Sequence, residues 1–414
     1  MKQRLILLLI IFMPLTANSL TIPQVLEIAV ANNPSLLKRE ASVTASEREI
    51  ISEGGWDGAM FGYSAMNVLP AENNMLEHRF MLSQKIPLSG SQFRRRNIAK
   101  LGYDDISAEL ILQKSRIETD ILILGANYYR DIKTLAELHE ALALLDQFYE
   151  IALSKYVTGR AIMAEVSAIE IRIASMENRI ISLSNRIINH KSRIREIANL
   201  TNSDFDLQPP NFQSANLTDN IPSAEILFTK SENAFAGWVS KHNKIERFKE
   251  LSSLIRSKFI PEPAIGIALG YNPHNNASMF SIEASFMFPL FSARSVISKA
   301  KAYDALKEAS LAELSEFENS VFREIDETRN NYLSAVKQTD NYSKRILPQS
   351  ESSVSSFLSA YQVGNADFAS VLNSVISLYE HKIGYHTLLA TAYIELFKLE
   401  FITGEKYYFT EDLL

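Results

Sequence analysis

Histidine and methionine are the residues of this chain whose side chains could bind a soft metal cation. Met75, His78 and Met81 lie close together in one predicted β-hairpin, and sulfur and imidazole suit soft cations. Met75 and Met81, however, share a strand face that His78 does not, because successive side chains of a strand point to opposite faces. His190 and His386 fall on helical heptad positions, which favours packed side chains. We therefore predict no metal site.

Catalytic motifs are missing from the sequence. It contains no cysteine, no Ser-His-Asp arrangement and no glycine-rich phosphate loop between a strand and a helix. The formal net charge of −6 disfavours a nucleic-acid partner. We predict that the chain is not an enzyme and that it needs no cofactor.

Two short motifs recur along the chain. Tyr156-Val157-Thr158-Gly159 is followed 205 positions later by Tyr361-Gln362-Val363-Gly364, and Ile86-Pro87-Leu88 is followed 202 positions later by Phe288-Pro289-Leu290. An internal repeat of this length predicts two similar halves. The predicted organisation is a first repeat over 20–201, a linker over 202–222, a second repeat over 223–404 and a C-terminal tail over 405–414.

Residues 1–19 have the features of a cleaved signal peptide. Lys2 and Arg4 precede an unbroken apolar run from Leu5 to Phe12, and Ala17-Asn18-Ser19 has small residues at a cleavage spacing. No later stretch has the 18 apolar residues of a membrane-spanning helix. We predict an exported chain that carries no lipid, since it has no cysteine.

Four segments alternate apolar and polar residues in the manner of β-strands. We predict strands at about 58–69 and 76–88, and a second hairpin at about 264–289. In the second hairpin Ile265, Ile267 and Leu269 share one face, as do Phe280 and Ile282. The strands have the length of tilted strands that cross a bilayer. The pattern is equally typical of a half-buried hairpin packed on helices.

Long helices follow each hairpin. After the first Tyr-x-x-Gly motif, apolar residues recur at alternating spacings of four and three from Ile162 to Ile197, and a similar seam runs from Leu372 to Phe397. Such heptads predict coiled-coil packing. The glycine of each motif suits a left-handed turn between antiparallel helices. A first helix is predicted from Thr21 to about Ser52, interrupted at Asn32-Asn33-Pro34, and a fifth helix from Ser223 to about Lys258.

Four strands do not close a membrane barrel, since the smallest known barrels have about eight. An open sheet edge is not tolerated in lipid. If the hairpins lie in a membrane, several copies of the chain must therefore form a closed ring. Three copies would supply twelve strands, although the pattern does not fix that number.

The sequence resembles the TolC-like outer-membrane efflux proteins over nearly the whole predicted mature chain. The resemblance rests on Leu20-Thr21-Ile22, the Asn32-Asn33-Pro34 break, the segment 82–90 that ends in Pro87-Leu88-Ser89-Gly90, and both Tyr-x-x-Gly turns. Arg94, Arg95 and Arg96 after that segment are most similar to the heavy-metal-cation (CzcC-like) branch. The resemblance implies a mainly α fold with β-strands, in which a homotrimer forms a twelve-stranded outer-membrane β-barrel on a periplasmic α-helical coiled-coil tunnel.

The resemblance also implies partners and a site. The tunnel would dock on a periplasmic adaptor (membrane fusion) protein and an inner-membrane pump of the RND or a similar kind. The tips at Tyr156, Gly159, Tyr361 and Gly364 would serve as docking site and gate. Similar proteins often carry acidic residues after the tip glycine. Glu165 occupies the first of these positions in copy one, whereas Ser370 and Asn373 occupy both positions in copy two.

A tip arginine of similar proteins corresponds to Ala366. An acidic ring at the gate would therefore come from Glu165 or Asp367. Two other functions remain open at this point. One is a periplasmic or secreted coiled-coil scaffold without a pore, and the other is the outer-membrane component of type I protein secretion.

Overall fold

A computed structural model describes residues 19–66, 77–200, 205–272, 276–286 and 292–406. Residues 1–18 of the predicted signal peptide, residues 67–76 with Met75, residues 273–275, Phe288-Pro289-Leu290 and most of the predicted tail lie outside these residues. The chain divides into two units. A helical unit comprises the described residues within Met1–Leu36, Lys114–Phe235 and Phe322–Leu414, and a sheet unit comprises those within Leu37–Gln113 and Ala236–Val321.

The first predicted helix is two helices, α1 (Ile22–Asn32) and α2 (Pro34–Glu53). The Thr21 N–H donates to Gln24 Oε1 at 2.9 Å, which satisfies one amide at the start of α1. Asn33 is extended, with ψ 120°, as the residue before a proline prefers. Its side-chain oxygen accepts the Ser35 N–H at 2.8 Å. The predicted interruption is confirmed.

Two helical hairpins dominate the helical unit. The first consists of α3 (Ser91–Val157), from Lys114 onward, and α4 (Met163–Ile197). The second consists of the end of α7 (Ala293–Asn341), a five-residue π-helical turn (Tyr342–Ile346), α8 (Leu347–Gln362) and α9 (Phe368–Thr403). The heptad seams form the core, because α4 buries Val166, Ile169 and Leu183 while α9 buries Leu372 and Tyr393.

The predicted heptad seam of α4 begins one residue too early, at Ile162, and that part of the prediction is wrong. Ile162 is not helical, since its φ and ψ are −101° and 151° and it is the residue that precedes α4. Its side chain is 64% exposed. A heptad pattern cannot by itself show where a helix begins, because the residue before the first helical turn keeps the spacing without the helical geometry.

The predicted fifth helix is also two helices, α5 (Ala224–Ala234) and α6 (Gly237–Ser257). Phe235 between them is extended, with ψ 114°. Its ring packs edge-on against Phe401 with 5.7 Å between ring centroids. Next to it Gly404, at φ 69°, approaches Ala234 so closely that a Cβ would lie 2.8 Å from the alanine methyl. Packing against the end of α9 therefore ends α5.

The π-helical turn precedes a proline. Leu347 N–H bonds to the Tyr342 carbonyl five residues back, as in a π-helix. Pro348 then occupies the first turn of α8, where its missing N–H costs little. Across from this turn Gly384 of α9 lies against the Tyr342 ring, and a Cβ there would lie 3.2 Å from the phenol oxygen.

The sheet unit holds four antiparallel strands in the order β1-β2-β3-β4. They are β1 (Met60–Met66), β2 (Glu77–Lys85), β3 (Pro263–Asn272) and β4 (Ala277–Phe286). The two predicted hairpins are joined through β2 and β3, where Phe80 pairs with Leu269. Residues 58–59 and 86–88 were predicted as strand ends but lie outside β1 and β2, so these two strands are shorter than predicted. The predicted strand residues 67–69, 76 and 287–289 lie outside the described residues.

The register gives the sheet two different faces. Phe61, Leu82, Ile267 and Ile282 are successive partners across the four strands, and these side chains are 47–72% exposed. The opposite face carries small and polar residues: Gly62, Ser64, Arg79, Gly266, Ala268, Ser281 and Glu283. Arg79 forms an ion pair with Glu283. None of the helices in the described parts of the chain is both long and apolar enough to span a membrane.

Candidate functional site at the two helical turns

The two Tyr-x-x-Gly motifs form the same kind of turn. In the first, the Gly159 N–H donates to the Tyr156 carbonyl at 2.9 Å and the Arg160 N–H donates to the Lys155 carbonyl at 2.8 Å. Gly159 has φ 70°. This pair of bonds is a Schellman motif, which caps the last carbonyls of a helix and places a glycine in the left-handed region.

The second turn repeats this geometry. The Gly364 N–H donates to the Tyr361 carbonyl at 3.1 Å, and the Asn365 N–H donates to the Ala360 carbonyl at 2.8 Å. Gly364 has φ 84°. The left-handed glycine predicted for each motif is confirmed, and each turn is followed by a helix that begins four residues after the glycine, at Met163 and Phe368.

The start of the following helix differs between the two turns. Asp367 accepts hydrogen bonds from the Ser370 N–H at 2.8 Å and from the Ser370 hydroxyl at 2.7 Å, which makes it the N-cap of α9. These bonds lower the pKa of Asp367. The equivalent position in the first turn is Ile162, which has no side chain to cap α4.

The equivalent tyrosines of the two turns have opposite environments. Tyr361 is 4% exposed, whereas Tyr156 is 41% exposed. The Tyr361 ring packs edge-on against Phe148 at 5.4 Å between centroids, and Phe148 stacks on Phe368 at 5.2 Å. Phe148 belongs to α3, so this aromatic cluster joins the two hairpins near their turns.

Lys155 also joins the two turns. Its ammonium group donates to the Tyr361 carbonyl at 2.6 Å and lies 3.6 Å from the centroid of the Tyr361 ring. One cation therefore makes a charge-assisted hydrogen bond and a cation–π contact with the same residue. Sequence reasoning missed Lys155. The sequence offered one signal for this residue. Lys155 occupies the position of the repeat that Ala360 occupies in the second copy, so the two turns differ there.

Glu165 lies close to the same tyrosine. Burial, and secondarily the negative charge of Glu165, raise the pKa of Tyr361. The buried Tyr361 hydroxyl forms no hydrogen bond of regular geometry with any described residue, and Glu165 is the ionisable group beside it. Glu165, Tyr361, Asp367 and Ser370 are thus all near the turns, whereas Asn373 is exposed one turn further along α9.

Two carboxylates of α3 that sequence reasoning also missed lie deeper in the helical unit. Asp131 is fully buried and contacts Arg186 and His190 of α4, with 3.2 Å between His190 Nε2 and Asp131 Oδ2. Glu137 contacts Lys382 of α9 at 3.0 Å and His386 at 3.4 Å. Each seam histidine therefore faces a carboxylate.

These contacts keep both carboxylates ionised. Burial alone would raise the pKa of Asp131, but hydrogen bonds from His190 and Arg130 together with the charges of Arg130 and Arg186 outweigh it and lower the pKa. Burial alone would also raise the pKa of Glu137. Hydrogen bonds from His386 and Lys382, together with their charges, outweigh burial and lower that pKa. The described residues contain no group of three or more side chains that could hold a metal ion.

Comparison with known proteins identifies the fold. No protein-family model matches the sequence, and no curated protein matches it either. Solved structures of outer-membrane channels do match. The outer membrane protein VceC of Vibrio cholerae superimposes with a TM-score of 0.77 at 16% identity, covering 94% of this chain and 97% of that one.

Two further structures give the same result. CusC, a protein that forms a transmembrane channel, matches with a TM-score of 0.80 at 13% identity, over 93% of this chain and 92% of that one. The open state of the outer-membrane channel MtrE of Neisseria gonorrhoeae matches with a TM-score of 0.75 at 13% identity, over 93% and 89%. The predicted resemblance to TolC-like outer-membrane channels is confirmed at the level of the fold. The heavy-metal branch stays a prediction.

Proposed function

We propose that the protein is the outer-membrane channel of a tripartite efflux system, a passive exit duct with no catalytic step. The observation that carries the proposal is the match of more than nine-tenths of the chain to solved outer-membrane channels. The energy for export would come from the partner pump. This chain would supply an aqueous path to the exterior.

The exposed face of the sheet supports a place in the outer membrane. Phe280 and Ile282 are 62% and 72% exposed, and a contiguous apolar surface of this kind marks a lipid or protein contact. The opposite face, with Arg79 and Glu283, would face a water-filled lumen. Three copies of the chain would supply the twelve strands of a closed barrel on a periplasmic helical tunnel.

The contact between the two turns supports a gate at the tunnel tips. Lys155 and Phe148 of the first hairpin hold Tyr361 of the second. In our proposal this arrangement is the closed state. Opening would separate the turns and expose the Tyr361 ring, so a partner that binds the separated turns more tightly would shift the population toward the open state.

The surface of the turns supports docking by a partner protein. Val157 of the first turn and Val363 of the second are 77% and 72% exposed, and Ile162 and Met163 are 64% and 51% exposed. Apolar side chains at the tips of otherwise polar helices suit an apolar contact. We propose that the partner is a periplasmic adaptor protein, which in turn connects to an inner-membrane pump.

Heavy-metal cations are the substrates that we propose to test first, because Pro87-Leu88-Ser89-Gly90 and the three arginines after it resemble that branch. A deletion strain should become sensitive to metals, whereas sensitivity to drugs and detergents alone would contradict this substrate class.

Fractionation and conductance test the channel itself. We expect the mature protein to require detergent for extraction, to run as a trimer and to conduct ions in planar bilayers. Extraction into buffer as a monomer would contradict the proposal and favour the scaffold alternative.

A further inference from the structure

Three methionines, Met60, Met81 and Met279, lie on the polar face of the sheet. Met81 is two residues from Arg79 and Met279 is four residues from Glu283, and alternate residues of a strand share one face. The pairing of β1 with β2 places Met60 on this face as well. The three thioethers therefore lie on the side of the sheet that carries the ion pair, the side that the proposed function assigns to the lumen.

Burial does not account for these methionines. Methionine usually fills gaps in hydrophobic cores, but Met60 and Met279 are 61% and 60% exposed. An exposed thioether on a polar face gains little from the hydrophobic effect, because that effect scales with the apolar area removed from water. The other use of a thioether is as a ligand, since its sulfur binds soft metal cations.

Glycines lie opposite two of the methionines and leave space beside them. Met81 pairs with Gly62, and a Cβ at that glycine would lie 3.5 Å from the Met81 terminal methyl. Met279 pairs with Gly270, where a Cβ would lie 3.5 Å from Met279 Cβ and 3.1 Å from Glu77 Oε1. A larger side chain at either glycine would fill this space, so both thioethers have room for a cation.

Arg79 and Lys85, the basic side chains of this face in the described strands, are already paired. Arg79 forms an ion pair with Glu283, and Lys85 lies 2.5 Å from Glu262. Opposite charges in contact largely cancel at a distance, so these groups repel a passing cation only weakly. The thioethers are neutral donors, which select a cation by its softness.

The strand order brings the methionines together. Met81 pairs with the residue two positions after Met60, so these two are diagonal neighbours, which long side chains on one face can bridge. β1 and β4 are the two ends of the strand order, and closing the proposed ring would pair β4 of one copy with β1 of the next. Met279 would then lie on the strand beside that of Met60 in the neighbouring copy.

We propose that Met60 and Met81, together with Met279 of the neighbouring copy, form a transient binding site for soft monovalent cations of the Ag⁺ and Cu⁺ class. The inference rests on the proposed function and narrows its substrate class from heavy-metal cations to soft ones. Neutral thioethers suit a duct, because conduction requires binding that is weak enough to release the ion. His78 lies on the opposite face from Met81, as predicted, so the site consists of thioethers.

Methyl NMR of the full-length protein in detergent micelles, labelled at the methionine methyl groups with carbon-13, tests the site. The probe is silver nitrate in chloride-free buffer. We expect Ag⁺ to shift the signals of Met60, Met81 and Met279, which the corresponding leucine variants assign. Mg²⁺ at the same concentration should leave them unchanged, because it prefers oxygen ligands.

Met81→Leu tests whether the thioethers act together. Leucine is close to methionine in volume but has no sulfur, so the Ag⁺-induced shift of Met60 should be lost in this variant. An unchanged Met60 shift would overturn the shared site. His78→Gln is the control on the same strand, and all three shifts should persist in it.

Met163 is the matched control methionine, because it is 51% exposed at the start of α4, outside the sheet. Its signal should not respond to Ag⁺ at the concentration that shifts the other three. An equal response of Met163 would overturn the inference, since any exposed thioether would then bind the cation.

Planar-bilayer recording of the same preparation in potassium nitrate separates this inference from the proposed function. A protein that conducts, but whose three methionine signals do not respond to Ag⁺, overturns the cation site alone. A protein that does not conduct overturns the proposed function, and the cation site in its lumen with it.

Discussion

The Lys155 ammonium group is bonded to the carbonyl of Tyr361 and lies against the face of the same residue, 206 positions away in the sequence. The two residues belong to different copies of the repeat. Because Ala360 stands at the position equivalent to Lys155, the contact has no counterpart in the other direction. The two turns have the same backbone geometry, but only the first supplies a lysine that binds the tyrosine of the other.

Lys155→Met should favour the separated state of the two turns. Methionine keeps most of the side-chain length but removes the charge, so the variant loses a charged hydrogen bond and a cation–π contact worth about 2 kcal/mol together. That corresponds to about a thirtyfold change in the closed-to-open ratio. Single-channel recording should show a higher open probability. Arg160→Met, which removes a charge from the same turn, is the control, and an equal effect of both variants would contradict the gate assignment.

Gly364→Ala and Gly102→Ala should have opposite effects on stability. Gly364 has φ 84°, where a Cβ costs about 1–2 kcal/mol. Gly102 lies within α3 with open space around it, so alanine there should stabilise the helix by up to about 1 kcal/mol. Hydrogen exchange should be faster at the second turn in the first variant only. Unchanged exchange there would be inconsistent with the observed turn.

Gly159→Pro and Gly364→Pro test the function of the turns. Proline requires φ near −65°, so it cannot adopt the left-handed geometry of either glycine. We expect each variant to abolish export while trimer assembly and membrane insertion persist. Export at the wild-type level by either variant would refute the assignment of the turns as tunnel tips.

Asp131→Asn should destabilise the protein at neutral pH by about 2 kcal/mol, because it removes the buried charge that accepts hydrogen bonds from Arg130 and His190. The folded-state pKa of Asp131 is lowered. Its stabilisation is therefore present above the unfolded pKa of about 3.9 and is lost as the pH falls through the folded value. Urea unfolding against pH should show the wild type and the variant converging in acid. Asp146→Asn, an exposed change on the same helix, should leave stability unchanged at every pH.

Ile282→Arg should impair membrane insertion. Ile282 is 72% exposed on the apolar face of β4, and a charge on a lipid-facing strand costs up to about 2–4 kcal/mol near the bilayer centre. Ser281→Arg places the same charge on the opposite face and should be tolerated. Detergent-free flotation of each variant with vesicles distinguishes the two. Equal flotation of both would contradict a lipid-facing role for this side of the sheet.

Local periodicity predicted the elements of this fold because each signal lies within a few turns of chain. The seams of α4 and α9 follow from heptads, and the turns follow from glycines that must adopt positive φ. The partners of Lys155 and Asp131 could not be predicted in the same way. Each contact depends on which helix faces which, and a pattern within one helix does not contain that information. The break at Phe235 was missed for the same reason, since its cause is Phe401.

The π-helical turn at Tyr342–Ile346 makes the two hairpins mechanically different. In α3 the helix passes through 67 residues without interruption, whereas the second copy has a wide turn followed at once by Pro348, which donates no backbone bond. Around residues 342–348 the helix therefore has fewer regular backbone hydrogen bonds, and it bends more easily there. The first hairpin therefore resists bending along its whole length, and the second bends most easily about halfway along α9, opposite Gly384.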